Sequence, residues 1–164
     1  MGFAPLRLLV LCVVGFAARL MWVWGHMRLA ALVRDQGQGC VCHWNAELKS
    51  PGNISLGDYV VIGTNVTLGA ASLIRLGNRV RLSRDVLIET AGLEFRNHKP
   101  PYPHISKPIT LEAGVWVGAR AIILGGVVVG ENAVIAAGSL VTNNVARNSI
   151  VAGIPARVIG RCKV

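Results

Sequence analysis

From Leu56 onward, large aliphatic residues return every six positions: Leu56, Ile62 and Leu68, then Leu76, Leu82 and Ile88. The series resumes at Leu111, Val117, Ile123, Val129, Ile135 and Val141. Four positions after each stands a smaller residue, in all but the last turn before the break: Val60, Val66, Ser72, Val80 and Val86, then Val115, Ala121, Val127, Ala133, Ser139 and Val145. The residue directly after the aliphatic one is often glycine (Gly57, Gly63, Gly69, Gly77, Gly118, Gly130), which we read as turn geometry. A helix cannot hold a strict six-residue period, because its apolar face drifts around the axis, and a flat sheet would alternate and carry hairpin turns. Short strands ending in Gly-containing corners fit a β-solenoid, each strand pairing with the one a full coil later at about 4.8 Å. Three hexapeptides close a triangular coil of about 18 residues. The slack between Leu68 and Leu76 predicts a small corner insertion, and the break at Thr90–Pro108 a loop thrown out of the solenoid. Roughly five coils result, the first irregular.

Residues 4–33 follow a different rule. They are almost wholly apolar: Leu8 to Ala18 without a charge, then Arg19, Leu20 to Gly25, His26-Met27-Arg28, and Leu29 to Val33. The uncharged run is too short to cross a bilayer, which takes about 20 residues, whereas tolerating Arg19 lengthens it to Leu8–Met27. A signal peptide would look similar, but the apolar run continues past any plausible cleavage site. The pattern leaves a spanning helix, a helix lying on the membrane, or a helix packed on the core or on a sister subunit. Trp22 and Trp24, followed by Arg28 and Arg34, suit an interfacial anchor with the following domain on the cytoplasmic side. We therefore divide the chain into a membrane-associating segment, 1–37, and a solenoid domain, 38–164, with loop 90–108.

Composition bounds the reading further. A chain of 164 residues, 52% hydrophobic, has room for one domain of ordinary size and is not intrinsically disordered. Seventeen Lys+Arg against eight Asp+Glu give +9, pointing to an anionic partner: nucleic acid, a membrane surface or a phosphorylated ligand. Four cysteines are too few for a disulfide scaffold. Cys40-Val41-Cys42-His43 looks like half a metal site, but without a second cysteine pair it reads as core packing. Asn53-Ile54-Ser55 and Asn65-Val66-Thr67 fit the glycosylation sequon but fall in repeat corners.

The loop carries His98, His104 and four prolines (Pro100, Pro101, Pro103, Pro108) in a fold whose coils are otherwise economical. A neutral imidazole there could take a proton from a hydroxyl as that oxygen attacks a thioester. Downstream come Pro108-Ile109, Gly114-Val115-Trp116-Val117-Gly118-Ala119, Gly138-Ser139-Leu140-Val141-Thr142 and Val151-Ala152-Gly153-Ile154-Pro155-Ala156-Arg157-Val158-Ile159. With the hexapeptide pattern, these stretches make the chain resemble the hexapeptide-repeat, left-handed parallel β-helix acyltransferases, and in particular their sugar O-acetyltransferases. The left hand comes from that resemblance, since the general rule for parallel crossovers favours the opposite one.

The resemblance implies an acetyl-CoA-dependent O-acetyltransferase acting on a sugar hydroxyl of a glycan or lipid-linked intermediate. It implies a homotrimer with sites at subunit interfaces, no metal and no nucleic acid. It assigns Trp116, Ala119, Ala137, Thr142 and Arg157 to the CoA site, with Arg161 nearby for the phosphates. Asn65 falls at a polar position beside the acetyl or acceptor site. Many relatives place the catalytic histidine directly after the glycine where this chain has Gly92-Leu93, so His98 is assigned as base and His104 as an acceptor contact. Two other readings remain: a non-catalytic membrane-bound scaffold, and a zinc enzyme of the carbonic anhydrase type. The latter needs three converging histidines, whereas His43 lies far upstream of the loop pair.

Overall fold

The computed structural model describes residues 4–96 and 99–162. Helix α1 (Ala4–Leu32) opens the chain, with Pro5 in its first turn, where the missing N–H costs nothing. The rest is a left-handed parallel β-helix of five full coils and an incomplete sixth. Coil 1 holds β1 (Asp35–Gln36), β2 (Val41–Cys42) and β3 (Glu47–Lys49); coil 2 holds β4 (Ile54–Leu56), β5 (Val61–Ile62) and β6 (Thr67–Gly69). Coil 3 holds β7 (Ile74–Leu76), β8 (Arg81–Leu82) and β9 (Leu87–Glu89). A hairpin, β10 (Ala91–Leu93) and β11 (His104–Ser106), interrupts the solenoid. Coil 4 follows with β12 (Ile109–Leu111), β13 (Trp116–Val117) and β14 (Ile122–Leu124), and coil 5 with β15 (Val128–Val129), β16 (Val134–Ile135) and β17 (Leu140–Val141). A closing hairpin, β18 (Ser149–Gly153) and β19 (Ala156–Arg161), tops the stack.

Three flat faces result. Face A stacks β1-β4-β7-β12-β15, face B stacks β2-β5-β8-β13-β16-β18 with β19 at its edge, and face C stacks β3-β6-β9-β14-β17. We name the corners AB, BC and CA after the faces they join. Every aliphatic residue of the six-residue series is buried, and so is each smaller residue four positions on except the half-buried Ser72. Each buried Leu or Ile contributes roughly 1.5–3 kcal/mol, so the pattern is the stabilising core itself.

Two expectations need correction. The coils are not uniformly of 18 residues: Ser55 pairs with Arg75, a 20-residue coil, whereas Thr110 pairs with Val128, an 18-residue coil. The two extra residues recur at corner CA, as a 3-10 turn at Pro51–Asn53 in coil 1 and as the Leu68–Leu76 slack in coil 2. Nor do the repeat glycines supply the left-handed turn residue. That residue stands two positions later, at Tyr59 (φ 57°), Asn65 (φ 54°), Arg79 (φ 60°), Arg120 (φ 60°) and Asn132 (φ 55°), and in the same place after Ser83 at Asp85 (φ 59°). The glycines are needed because coils approach closely: a Cβ on Gly118 would lie 2.6 Å from the Ala137 nitrogen, and one on Gly63 2.7 Å from the Leu82 oxygen.

The C-terminal half of α1 belongs to the solenoid. Leu29 is fully buried at the open end of coil 1, and a Cβ on Gly25 would overlap the Cys42 carbonyl oxygen. The Arg28 guanidinium donates to the carbonyls of Trp44 (2.8 Å) and Ala46 (3.3 Å). The N-terminal half is bare: Leu9, Val10, Leu11, Val13, Val14 and Phe16 are all exposed.

Candidate active site

Corner BC gathers most of the assigned residues into one column. Asn65, Asp85 and Arg120 occupy the same left-handed turn position in coils 2, 3 and 4. Ala119 lies beside Arg120, and Ala137 sits one coil above it, exposed. Trp116 projects from face B, about half exposed, and its indole Nε1 donates to Ser83 Oγ at 3.1 Å, which lays the ring toward this corner. Arg157 on β19 pairs with Ala152 on β18, directly above the coil 5 end of the column. Its exposed guanidinium donates to the Ala156 carbonyl at 2.9 Å and lines an open groove of about 290 Å³ with Val141, Asn143 and Asn144. Arg161 lies at the far end of β19, opposite Ser149.

The polar groups of the column are linked. His43 Nδ1 contacts Asn45 Oδ1, and Asn45 Nδ2 donates to Asn65 Oδ1. The Asn65 backbone N–H donates to Asn45 Oδ1 at 3.1 Å, while its Nδ2 donates to Asp85 Oδ1 at 3.2 Å. Asp85 Oδ2 lies 3.4 Å from Arg84 and 3.6 Å from Arg120. The Asn65 hydrogen bond, helped by these two guanidinium groups, holds the Asp85 carboxyl below the usual carboxylate range. Sequence reasoning missed His43, Asn45, Ser83, Asp85 and Arg120. The available signal was the identical spacing of Asn45, Asn65 and Asp85, one polar residue per 20-residue coil. Placing Cys40-Val41-Cys42-His43 wholly in the core is half right: both thiols are buried, but His43 faces outward at the corner.

The loop residues lie elsewhere. The β10–β11 hairpin springs from corner CA, on the far side of face C from Asn65. Its base is clamped: buried Thr90 donates Oγ1 to the Gly69 carbonyl (2.7 Å) and accepts the Ser72 N–H (3.0 Å), and Ser72 and Ser106 share a 2.6 Å hydrogen bond. His104 is exposed and pairs across the hairpin with Leu93. His98 lies outside the described residues. Thr142 also falls at corner CA, exposed, where its hydroxyl accepts from Asn143 at 3.1 Å. Asn65, Trp116, Ala119 and Ala137 therefore come together within one chain; Arg157 stands at the top of the solenoid, where its groove reaches Asn143 and Asn144 beside Thr142, and His104 joins neither group. Among the described residues, no three His, Cys, Asp or Glu side chains group as a metal site.

This geometry has relatives. Residues 108–143 match the bacterial transferase hexapeptide (six repeats) family. The chain is 34% identical over 125 residues to the galactoside O-acetyltransferase of Escherichia coli K12, covering 70% of this chain and 60% of that one. It is 33% identical over 136 residues to nodulation protein L of Rhizobium meliloti, covering 82% and 74%. A hexapeptide-repeat acetyltransferase of Vibrio cholerae O1 biovar eltor, solved with acetyl coenzyme A, superimposes with a TM-score of 0.79 at 26% identity, over 85% of this chain and 76% of that one. Repeat pattern, triangular coils and relatives agree: the chain belongs to the hexapeptide-repeat, left-handed β-helix acyltransferase family.

Proposed function

We propose that this protein is an acetyl-CoA-dependent O-acetyltransferase that acetylates a sugar hydroxyl on a glycan or lipid-linked intermediate. The observation that carries the reading is the BC column. Trp116, Ala119, Ala137 and Arg157 follow one another along the solenoid above Ser83 and Asn65. An extended cofactor fits such a track: small alanines leave the corner open, an indole offers a flat wall, and an arginine near the open end suits phosphate. Acetyl-CoA, as substrate, supplies the activated acyl group. Asn65 orients the acceptor, His98 removes the proton from its hydroxyl, and Arg157 with Arg161 holds the phosphates.

The separation of parts supports a homotrimer. The histidine loop and Thr142 stand at corner CA, whereas Asn65 and Trp116 stand at corner BC. Three-fold packing about face C would bring the CA corner of one copy beside the BC corner of the next. The outward column Leu87, Ile122, Leu140 gives that face the apolar surface such packing needs. The exposed half of α1 supports attachment to the cytoplasmic face of the membrane. Leu9–Leu32 has the length and hydropathy of a span, and its last turns are docked on coil 1, which leaves the N-terminal part of the helix for lipid.

The test is acetyl transfer from acetyl-CoA to a panel of sugars and lipid-linked glycans, followed by thiol release and product mass. A gain of one acetyl group per acceptor is expected. Absence of CoA binding by calorimetry, together with no transfer to any acceptor, would leave a scaffold.

A further inference from the structure

The BC column does not end at Asn65. One coil lower, at His43 and Asn45, it meets a groove of about 460 Å³ between α1 and coils 1 and 2. Such a volume lies within the ~300–1,000 Å³ range of small-molecule sites. The α1 wall is Ala18, Met21 and Trp22; the solenoid wall is led by Val41 and Val61, the outward residues of β2 and β5. Its polar lining comes from His43 and Thr64, at the end where Asn45 and Asn65 stand. Its helical wall continues into the exposed apolar stretch Leu9–Phe16. The groove therefore runs from the acceptor position toward the part of the chain suited to lipid. An occupant matching both ends has a polar, hydroxyl-bearing head and a long apolar tail.

We propose that this groove binds the lipid tail of the acceptor, so that the substrate is a glycan carried on a long alkyl or polyprenyl chain, with its sugar presented at Asn45 and Asn65. The inference rests on the acetyltransferase reading above and narrows its substrate to the amphiphilic class. It also accounts for the docking of α1: Gly25 and Arg28 fix the helix on coil 1 at the distance that leaves the groove open.

The experiment compares a methyl glycoside with a decyl glycoside of the same sugar, using the full-length chain held in amphipol. Two groove-filling variants, Ala18→Phe and Val61→Phe, enter from opposite walls without touching a core residue. Wild type should use the decyl acceptor with kcat/KM at least about tenfold above the methyl one. Each variant should lose that preference while keeping its methyl glycoside activity and its CoA affinity. Equal use of the two acceptors by wild type, or an equal fall on both in the variants, overturns the proposal. A binding arm separates it from the catalytic reading. A brominated decyl glycoside should quench tryptophan fluorescence in wild type and markedly less in the variants, whether or not any acceptor is acetylated. If the same quenching occurs with brominated phospholipid at equal concentration, the groove holds bilayer lipid and not the acceptor. If the variants instead dissociate the oligomer in light scattering, the groove is an interface between copies. Either result overturns the proposal.

Discussion

Asn65 donates a 3.2 Å hydrogen bond from Nδ2 to Asp85 Oδ1, in the same corner one coil above, while both residues hold left-handed backbone. The side chain carries the role proposed for the acceptor site while the backbone serves the turn, and two substitutions can separate the two. Asn65→Gly removes the amide but accepts φ near 54° without strain, whereas Asn65→Ala removes it and adds roughly 1 kcal/mol of strain. We expect about a tenfold loss of kcat/KM toward the acceptor in both, the worth of one hydrogen bond. Thermal melting should place Asn65→Ala below Asn65→Gly by about 1 kcal/mol. Equal stabilities would show that the turn is not enforced at this position.

The base assignment is tested within the loop. His98→Ala should lower kcat by roughly 10²–10⁴-fold with CoA affinity unchanged. His104→Ala should cost far less. His104 nevertheless stands directly across the hairpin, opposite Leu93. A collapse in His104→Ala with His98→Ala near normal would therefore move the base across the hairpin. Arg157→Ala should do the reverse of His98→Ala, weakening CoA binding by about 1.5–3 kcal/mol in calorimetry while kcat at saturation holds.

Leu29 links α1 to the solenoid. It is fully buried against the first coil, so Leu29→Ala should destabilise the chain by about 2–5 kcal/mol in denaturant titration. Leu11→Ala, on the bare half of the same helix, should change stability by less than about 0.5 kcal/mol. Removing residues 1–33 should then expose the end of the core and yield aggregates in light scattering. A soluble, cooperatively melting truncation would show that the solenoid closes without α1.

The core was legible because two residues in each six point inward, a large aliphatic one and a smaller one four positions on, and Leu56, Ile62 and Leu68 with Val60 and Val66 repeat that demand. Corner BC was partly legible: Trp116, Ala119, Ala137 and Asn65 carry recognisable motifs. Its hydrogen-bonded column was not, because Asn45, Asn65 and Asp85 become neighbours only once the 20-residue coil is known. The hairpin at 91–106 hid among prolines and strands of three residues. The docking of α1 was illegible for a different reason. A helix apolar on every side names no preferred face, and the contact is chosen by a missing side chain at Gly25 and a single guanidinium at Arg28.

Cys42 gives the fold a pH signature. The thiol is packed inside coil 1, and burial raises its pKa from 9.0 to about 11, against a smaller opposing pull from Arg28. Below pH 9 the thiol is protonated in both folded and unfolded chains and contributes no pH dependence. Above pH 9 the unfolded thiol ionises while the folded one keeps its proton, so each further unit of pH favours unfolding until about pH 11, where both are ionised. The total loss across that window is about 2–3 kcal/mol. Cys40, also raised by burial, acts in the same direction. Other groups titrate here too, so the measurement is a difference: urea midpoints from pH 8 to 11 for wild type and Cys42→Ala. Wild type should be the more stable at pH 8, and the gap should close as pH rises. Parallel curves would show that the Cys42 thiol ionises as readily in the folded chain as in the unfolded one.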